Sequence, residues 1–83
     1  MAYRSREEIF ASILRTAGSG ADITRSKIMF GSYLTYSQVV EYSKLLIQRG
    51  LLEYDAINRT FKTTPNGFTF IQLHDEISRM IKI

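Results

Sequence analysis

At Gly50 the hydrophobic period of this 83-residue chain changes, and that switch excludes most architectures open to so short a sequence. Up to Arg49 the apolar residues recur at three- and four-residue spacing, the period of helices with one buried face. Beyond it, Leu51 to Asp55 and Thr60 to Thr64 are short runs with β-branched and aromatic residues, separated by Ala56, Ile57, Asn58 and Arg59, which predicts a β-hairpin. Thr64 then offers an N-cap and Pro65 the favoured first position of another helix. Its spacing continues through Phe68, Phe70, Ile71, Leu73, Ile77, Met80 and Ile81 to the end of the chain at Ile83. A chain with one short hairpin is mainly helical, and at this length it makes a single domain, residues 1–83.

Three helices are expected before the switch. Ser5 and Glu8 form a capping box, and Ile9, Phe10, Ile13, Leu14 and Ala17 make one apolar stripe ending at Gly18, so the first helix is read from about Arg6 to Ala17. Gly18 to Ala21 reads as a loop. Asp22 or Thr24 can cap a second, short helix containing Ile28 and Met29, closed by Gly31 and Ser32. After a turn through Tyr33 and Leu34, Thr35 and Gln38 form another capping box ahead of Val39, Tyr42, Leu45 and Leu46. This third helix stops at Arg49, with Gly50 as its left-handed terminator.

Composition narrows the function classes. The chain is 45% hydrophobic and 23% charged with one Pro, the profile of a compact domain. It has no Cys and one His, which excludes disulfides and the usual zinc ligand sets, and no cofactor is expected. A core this small yields only about 3 to 5 kcal/mol, leaving oligomerisation as the remaining device for stability. Arg4, Arg6, Glu7 and Glu8 interrupt the start, and no apolar stretch approaches the roughly 18 residues of a membrane span, so an intracellular protein with no membrane partner is expected. No phosphate loop, nucleophile elbow, metal motif or paired-carboxylate signature occurs, and the reading is non-enzymatic. Asp75-Glu76 is read as solubilising, and His74 as a hydrogen-bonding group of the core or an interface.

A short helix, a tight turn and a longer capped helix make a helix-turn-helix, and a hairpin directly after it makes the wing. The expected fold is a mainly α winged helix-turn-helix: three helices, the wing hairpin and a C-terminal dimerisation helix. The third helix suits the major groove of double-stranded DNA, with Tyr36, Ser37, Val40, Glu41, Lys44 and Gln48 on its outer face and Gln38 near its N-terminal end. Arg59 and Lys62 of the wing, Arg25 and Lys27 of the second helix, and Arg4 and Arg6 are candidate phosphate contacts, about four to six if they converge. The net charge of +3 is in keeping with a polyanionic partner. Tyr33, Tyr42 and Tyr54 are expected to pack, with Tyr36 at the surface. Arg15, Arg79 and Lys82 are read as structural, paired along their own helices or placed at a helix end. Phe70, Leu73, Ile77 and Met80 follow one spacing of the last helix, with His74 and Ile81 beside them, and form the expected homodimer seam.

The stretch Ser26 to Leu52, SKIMFGSYLTYSQVVEYSKLLIQRGLL, resembles the archaeal winged-helix DNA-binding family, which includes the small basic chromatin-associated proteins of thermoacidophilic archaea. The features that match are Lys27 to Phe30, then Leu34, Thr35, Tyr36, Gln38 and Tyr42, the Leu-Leu before Arg49-Gly50-Leu51, the opening RSREEI, and Thr64-Pro65-Asn66-Gly67. The resemblance implies DNA binding, an archaeal, cytoplasmic and nucleoid-associated setting, and a dimer held by an antiparallel coiled coil of the C-terminal helices. The last helix ends sooner than the long helices of the chromatin proteins, so a role in transcription regulation is as much in keeping as packaging. Winged helices also act as protein-interaction modules, a reading that an exposed Val40 and Glu41 would favour. A small effector held between the C-terminal helices is a third possibility for which no residue is diagnostic.

Overall fold

Both capping boxes close, and they start two of the four helices. The computed structural model describes residues 4–81, and in it the chain forms α1 (Arg6–Ala17), α2 (Arg25–Ser32), α3 (Tyr36–Gln48), β1 (Leu52–Asp55), β2 (Thr60–Thr63) and α4 (Pro65–Ile81). The expectations for Lys82 and for a helix end at Ile83 lie outside the described residues. The Ser5 hydroxyl accepts from the Glu8 amide at 3.1 Å while the Glu8 carboxylate accepts from the Ser5 amide at 2.8 Å. Those same bonds, the Ser5 amide first and its hydroxyl second, hold the Glu8 carboxyl below the usual carboxylate range. Thr35 and Gln38 repeat the arrangement at 3.2 and 2.9 Å.

Thr24, not Asp22, caps α2, and Asp22 instead takes a left-handed conformation at φ 59°. The end of α2 differs from expectation. Gly31 lies inside the helix, and Tyr33 at φ 56° is the left-handed terminator, with the Leu34 amide donating to the Met29 carbonyl. Gly31 is a packing glycine: a Cβ there would sit 2.9 Å from the Thr16 side chain, so its absence lets α2 approach α1. Gly50, at φ 73°, closes α3 as expected. The Gly50 amide bonds the Ile47 carbonyl and the Leu51 amide the Leu46 carbonyl, a Schellman end.

The core gathers Ile13, Leu14 and Ala17 of α1, Ile28 of α2, Val39 and Leu46 of α3, and Leu52 and Phe61 of the hairpin, with Ile23 and Leu34 from the connections. Helix α1 is central and packs against α2, α3, α4 and β2. The antiparallel strands pair Leu52 with Thr63 and Tyr54 with Phe61, so Leu52, Phe61 and Thr63 face inward while Glu53 and Lys62 face out. Ile23 adds a one-residue bridge to the hairpin, its carbonyl accepting from the Phe61 amide at 2.8 Å. The buried Thr63 hydroxyl donates to the Leu14 carbonyl at 2.6 Å and ties the hairpin to α1.

Helix α4 docks through one face. The Thr64 hydroxyl accepts from the Gly67 amide and donates to the Gly50 carbonyl. Gly67 is buried beneath the Leu51 carbonyl and the Thr63 methyl, where no side chain fits. Phe70 then reaches Phe10, whose ring meets Tyr42 of α3 edge-on at 5.7 Å. Arg15 pairs with Asp75, the one ion pair among the described residues. Arg15 is therefore a tie between helices and not a partner within its own, and half-buried Asp75 is a docking group rather than a solubilising one.

Candidate nucleic-acid interface

The surface around the N-terminal ends of α2 and α3 is organised by Arg25. As the first residue of α2 it projects its guanidinium between two rings, 5.9 Å from the centroid of Tyr36 in α3 and 5.5 Å from that of Phe61 in β2. A cation over aromatic faces at these distances is attracted by the ring quadrupoles. Its Nε is buried and makes no hydrogen bond among the described residues. One side chain thus joins three elements that are separate in the sequence. Beside it lies a cleft of about 250 Å³ lined by Thr24, Arg25, Ser26, Tyr54, Arg59 and Phe61. Two arginines line this cleft and no acidic residue does.

The candidates divide by position. Arg25 and Arg59 share the cleft, and Tyr36, 60% exposed, flanks it at the start of α3. Ser37, Lys44, Glu41 and Gln48 lie exposed along α3. Gln38 is exposed too, but its carbonyl oxygen is already taken by the Thr35 amide, leaving its NH₂ to donate elsewhere. Lys27 is exposed one turn into α2, with its ammonium 3.3 Å from the Asp22 carbonyl. Lys62 is not in the cleft; it stands on the outward face of the hairpin opposite Glu53. Arg6 opens α1 in solvent. Arg4 donates to the Ser32 carbonyl at 2.6 Å, at the C-terminal end of α2 and so away from Arg25 at its start.

Several expectations about side-chain placement change. Val40 is half-buried rather than exposed. Tyr33 is 88% exposed instead of packed, since its left-handed backbone turns the ring out of the core; Phe30, one helical turn earlier, is 73% exposed. Tyr54 is 41% exposed and lies against Phe61 with ring centroids 4.8 Å apart. Ile57, at the wing tip, is 92% exposed and was not among the candidates. An isoleucine inside a strand-to-strand turn was the only sequence signal for it.

The residues proposed for a dimer seam also separate. Phe70 and His74 are half-buried, their rings stacked in parallel at 6.4 Å, and Phe70 packs on Phe10 of the same chain. Leu73, Ile77, Met80 and Ile81 remain exposed at 52, 56, 84 and 73%. They make a second apolar row beside the docked one, exposed among the described residues. No helix among the described residues is long and apolar enough to cross a membrane.

No curated protein matches the chain significantly. The family model for the winged helix-turn-helix does match, over residues 3–82, and the four helices and one hairpin described above are consistent with it. That match takes in nearly the whole chain. The fold it specifies is typically a non-enzymatic one that binds DNA, and the chain belongs to the winged helix-turn-helix family.

Proposed function

We propose that this chain binds double-stranded DNA with α3 in the major groove and the wing on the adjacent backbone. It acts as a homodimer through α4, in transcription regulation or as a nucleoid component. The observation that carries the reading is the Arg25 junction, which gathers the start of α2, the start of α3 and the wing around one cleft lined by two arginines and no carboxylate. A phosphate there meets two guanidinium groups while Ser37, Lys44 and Gln48 face base edges. Self-association is supported by the row Leu73, Ile77, Met80 and Ile81, which leaves large apolar side chains in water unless a second copy covers them. The half-buried Val40 removes one of the two side chains that would favour a protein partner on α3.

Titration of random-sequence duplex at several salt concentrations, with sedimentation of the free protein, tests the proposal. The two arginines of the cleft predict a slope of log affinity against log salt of about −2 for each bound copy, steeper by about one for each further cation that reaches a phosphate. A dimer indifferent to DNA at low salt would transfer the reading to a protein-interaction module. Equal affinity for all duplexes would favour packaging, and strong preference for one sequence would favour regulation.

A further inference from the structure

Ile57 is the most exposed large apolar side chain among the described residues, at 92%. A lone exposed isoleucine is ordinary on a protein surface. Its mounting is what sets this one apart. The Asp55 carboxylate accepts from the Ile57 amide at 2.9 Å and the Asn58 amide at 3.2 Å with one oxygen, and from the Asn58 side-chain NH₂ at 2.8 Å with the other. These bonds, from Asn58 first and then Ile57, also hold the Asp55 carboxyl below its ordinary range. Arg59 follows at φ 57°, turning the chain back into β2. The turn is therefore pinned from inside, with an apolar apex and a guanidinium two residues on, so little conformational freedom remains to be lost when the apex is buried.

We propose that Ile57 is a wedge that enters the minor groove of duplex DNA and opens a base step, while Arg59 stays on the flanking phosphate. The inference rests on the DNA-binding reading above and adds the groove, the step and the residue responsible. An isoleucine has nothing to offer a phosphate or a polar base edge. The apolar surfaces of a duplex are the thymine methyls of the major groove, the sugar walls of the minor groove and the faces of stacked bases. With α3 in the major groove, the wing passes the flanking backbone and meets the minor groove, leaving the sugar walls and base faces for Ile57. Wedges of this kind kink DNA toward the major groove. Pyrimidine–purine steps open most easily, TA among them, so the favoured target is a duplex with a TA step at its centre.

The test uses the full chain and duplexes of about 30 base pairs carrying a donor and an acceptor dye at their ends. One has an A·T-rich centre with a TA step and the other a G·C centre; affinity is read by anisotropy and bending by energy transfer at saturation. The unmodified protein is expected to raise transfer on the TA duplex. Ile57→Ala should bind within about fivefold of it yet lose most of that rise, and Ile57→Leu should retain it. Bending by the alanine variant equal to that of the unmodified protein would overturn the wedge, as would saturation by the unmodified protein without bending. Failure to bind either duplex would overturn the DNA-binding reading and the wedge with it.

Discussion

The chain up to the hairpin and the outer face of α4 treat their apolar residues in opposite ways. From α1 to β2, Ile13, Leu14, Ile28, Val39, Leu46, Leu52 and Phe61 are buried against one another, and the hairpin is tied to α1 by the Thr63 hydroxyl. In α4 one face is seated by Gly67, Phe70 and Asp75, while Leu73, Ile77, Met80 and Ile81 on another stand in solvent. The difference teaches that α4 has two adjacent faces of different kinds. One face completes the fold; the other is free to meet something outside it. The same division places the DNA candidates on the closed body, where rigid elements hold them, and the candidate self-association surface on the projecting helix.

The comparison can be broken most severely in the core. Leu14→Ala should lower the unfolding free energy by about 2 to 5 kcal/mol, read by urea denaturation at two protein concentrations. The same loss is expected at both, and a loss that disappears at high concentration would mean that the body is not stable by itself. Leu73→Ser combined with Ile77→Ser should weaken self-association by about 10- to 100-fold in sedimentation, an effect of about 1.4 to 3 kcal/mol for two half-exposed side chains. If the pair instead destabilised the monomer as Leu14→Ala does, the exposed row would belong to the core.

Smaller effects sharpen the division within the DNA surface. Arg25→Ala and Arg59→Ala should each flatten the salt slope by about one unit. Arg25→Ala should also cost about 1 kcal/mol of stability, because its guanidinium packs on Tyr36 and Phe61. Lys62→Ala should change the slope less than Arg59→Ala, since Lys62 stands opposite Glu53 and outside the cleft; an equal change would widen the interface to the whole wing. The smallest effect is that of pH. Glu8 and Asp55 both have folded-state carboxyls below their ordinary values, so their stabilisation is complete above the unfolded-state range and is lost as pH falls through the folded-state values. The thermal midpoint should therefore drop on the acid side, and Glu8→Gln with Asp55→Asn should flatten that limb without altering the midpoint's trend near neutrality.

Much of the architecture was legible because helix starts are local. The bonds of Ser5 with Glu8 and of Thr35 with Gln38 span three residues, so the pattern names both partners. The hairpin and the end of α3 at Gly50 were legible for the same reason. The end of α2 was not. Gly31 looked like a terminator, but its role depends on Thr16 of another helix, and a tyrosine took the left-handed position instead. Among the site residues, periodicity placed Tyr36, Ser37 and Lys44 on the surface. It did not show that Arg4 turns to the far end of α2, that Gln38 spends its carbonyl on a cap, or that Phe70 faces inward.

By itself the sequence determined the order of elements, their capped boundaries and the hairpin, since each follows from contacts between residues a few positions apart. Tertiary structure alone decided which cations share a cleft, which face of α4 is already occupied and which tyrosine leaves the core. Those outcomes depend on the packing of distant segments: Arg25 meets Phe61 only because Ile23 bridges to the hairpin, and Asp75 meets Arg15 only because Gly67 lets α4 lie close to the Leu51 carbonyl.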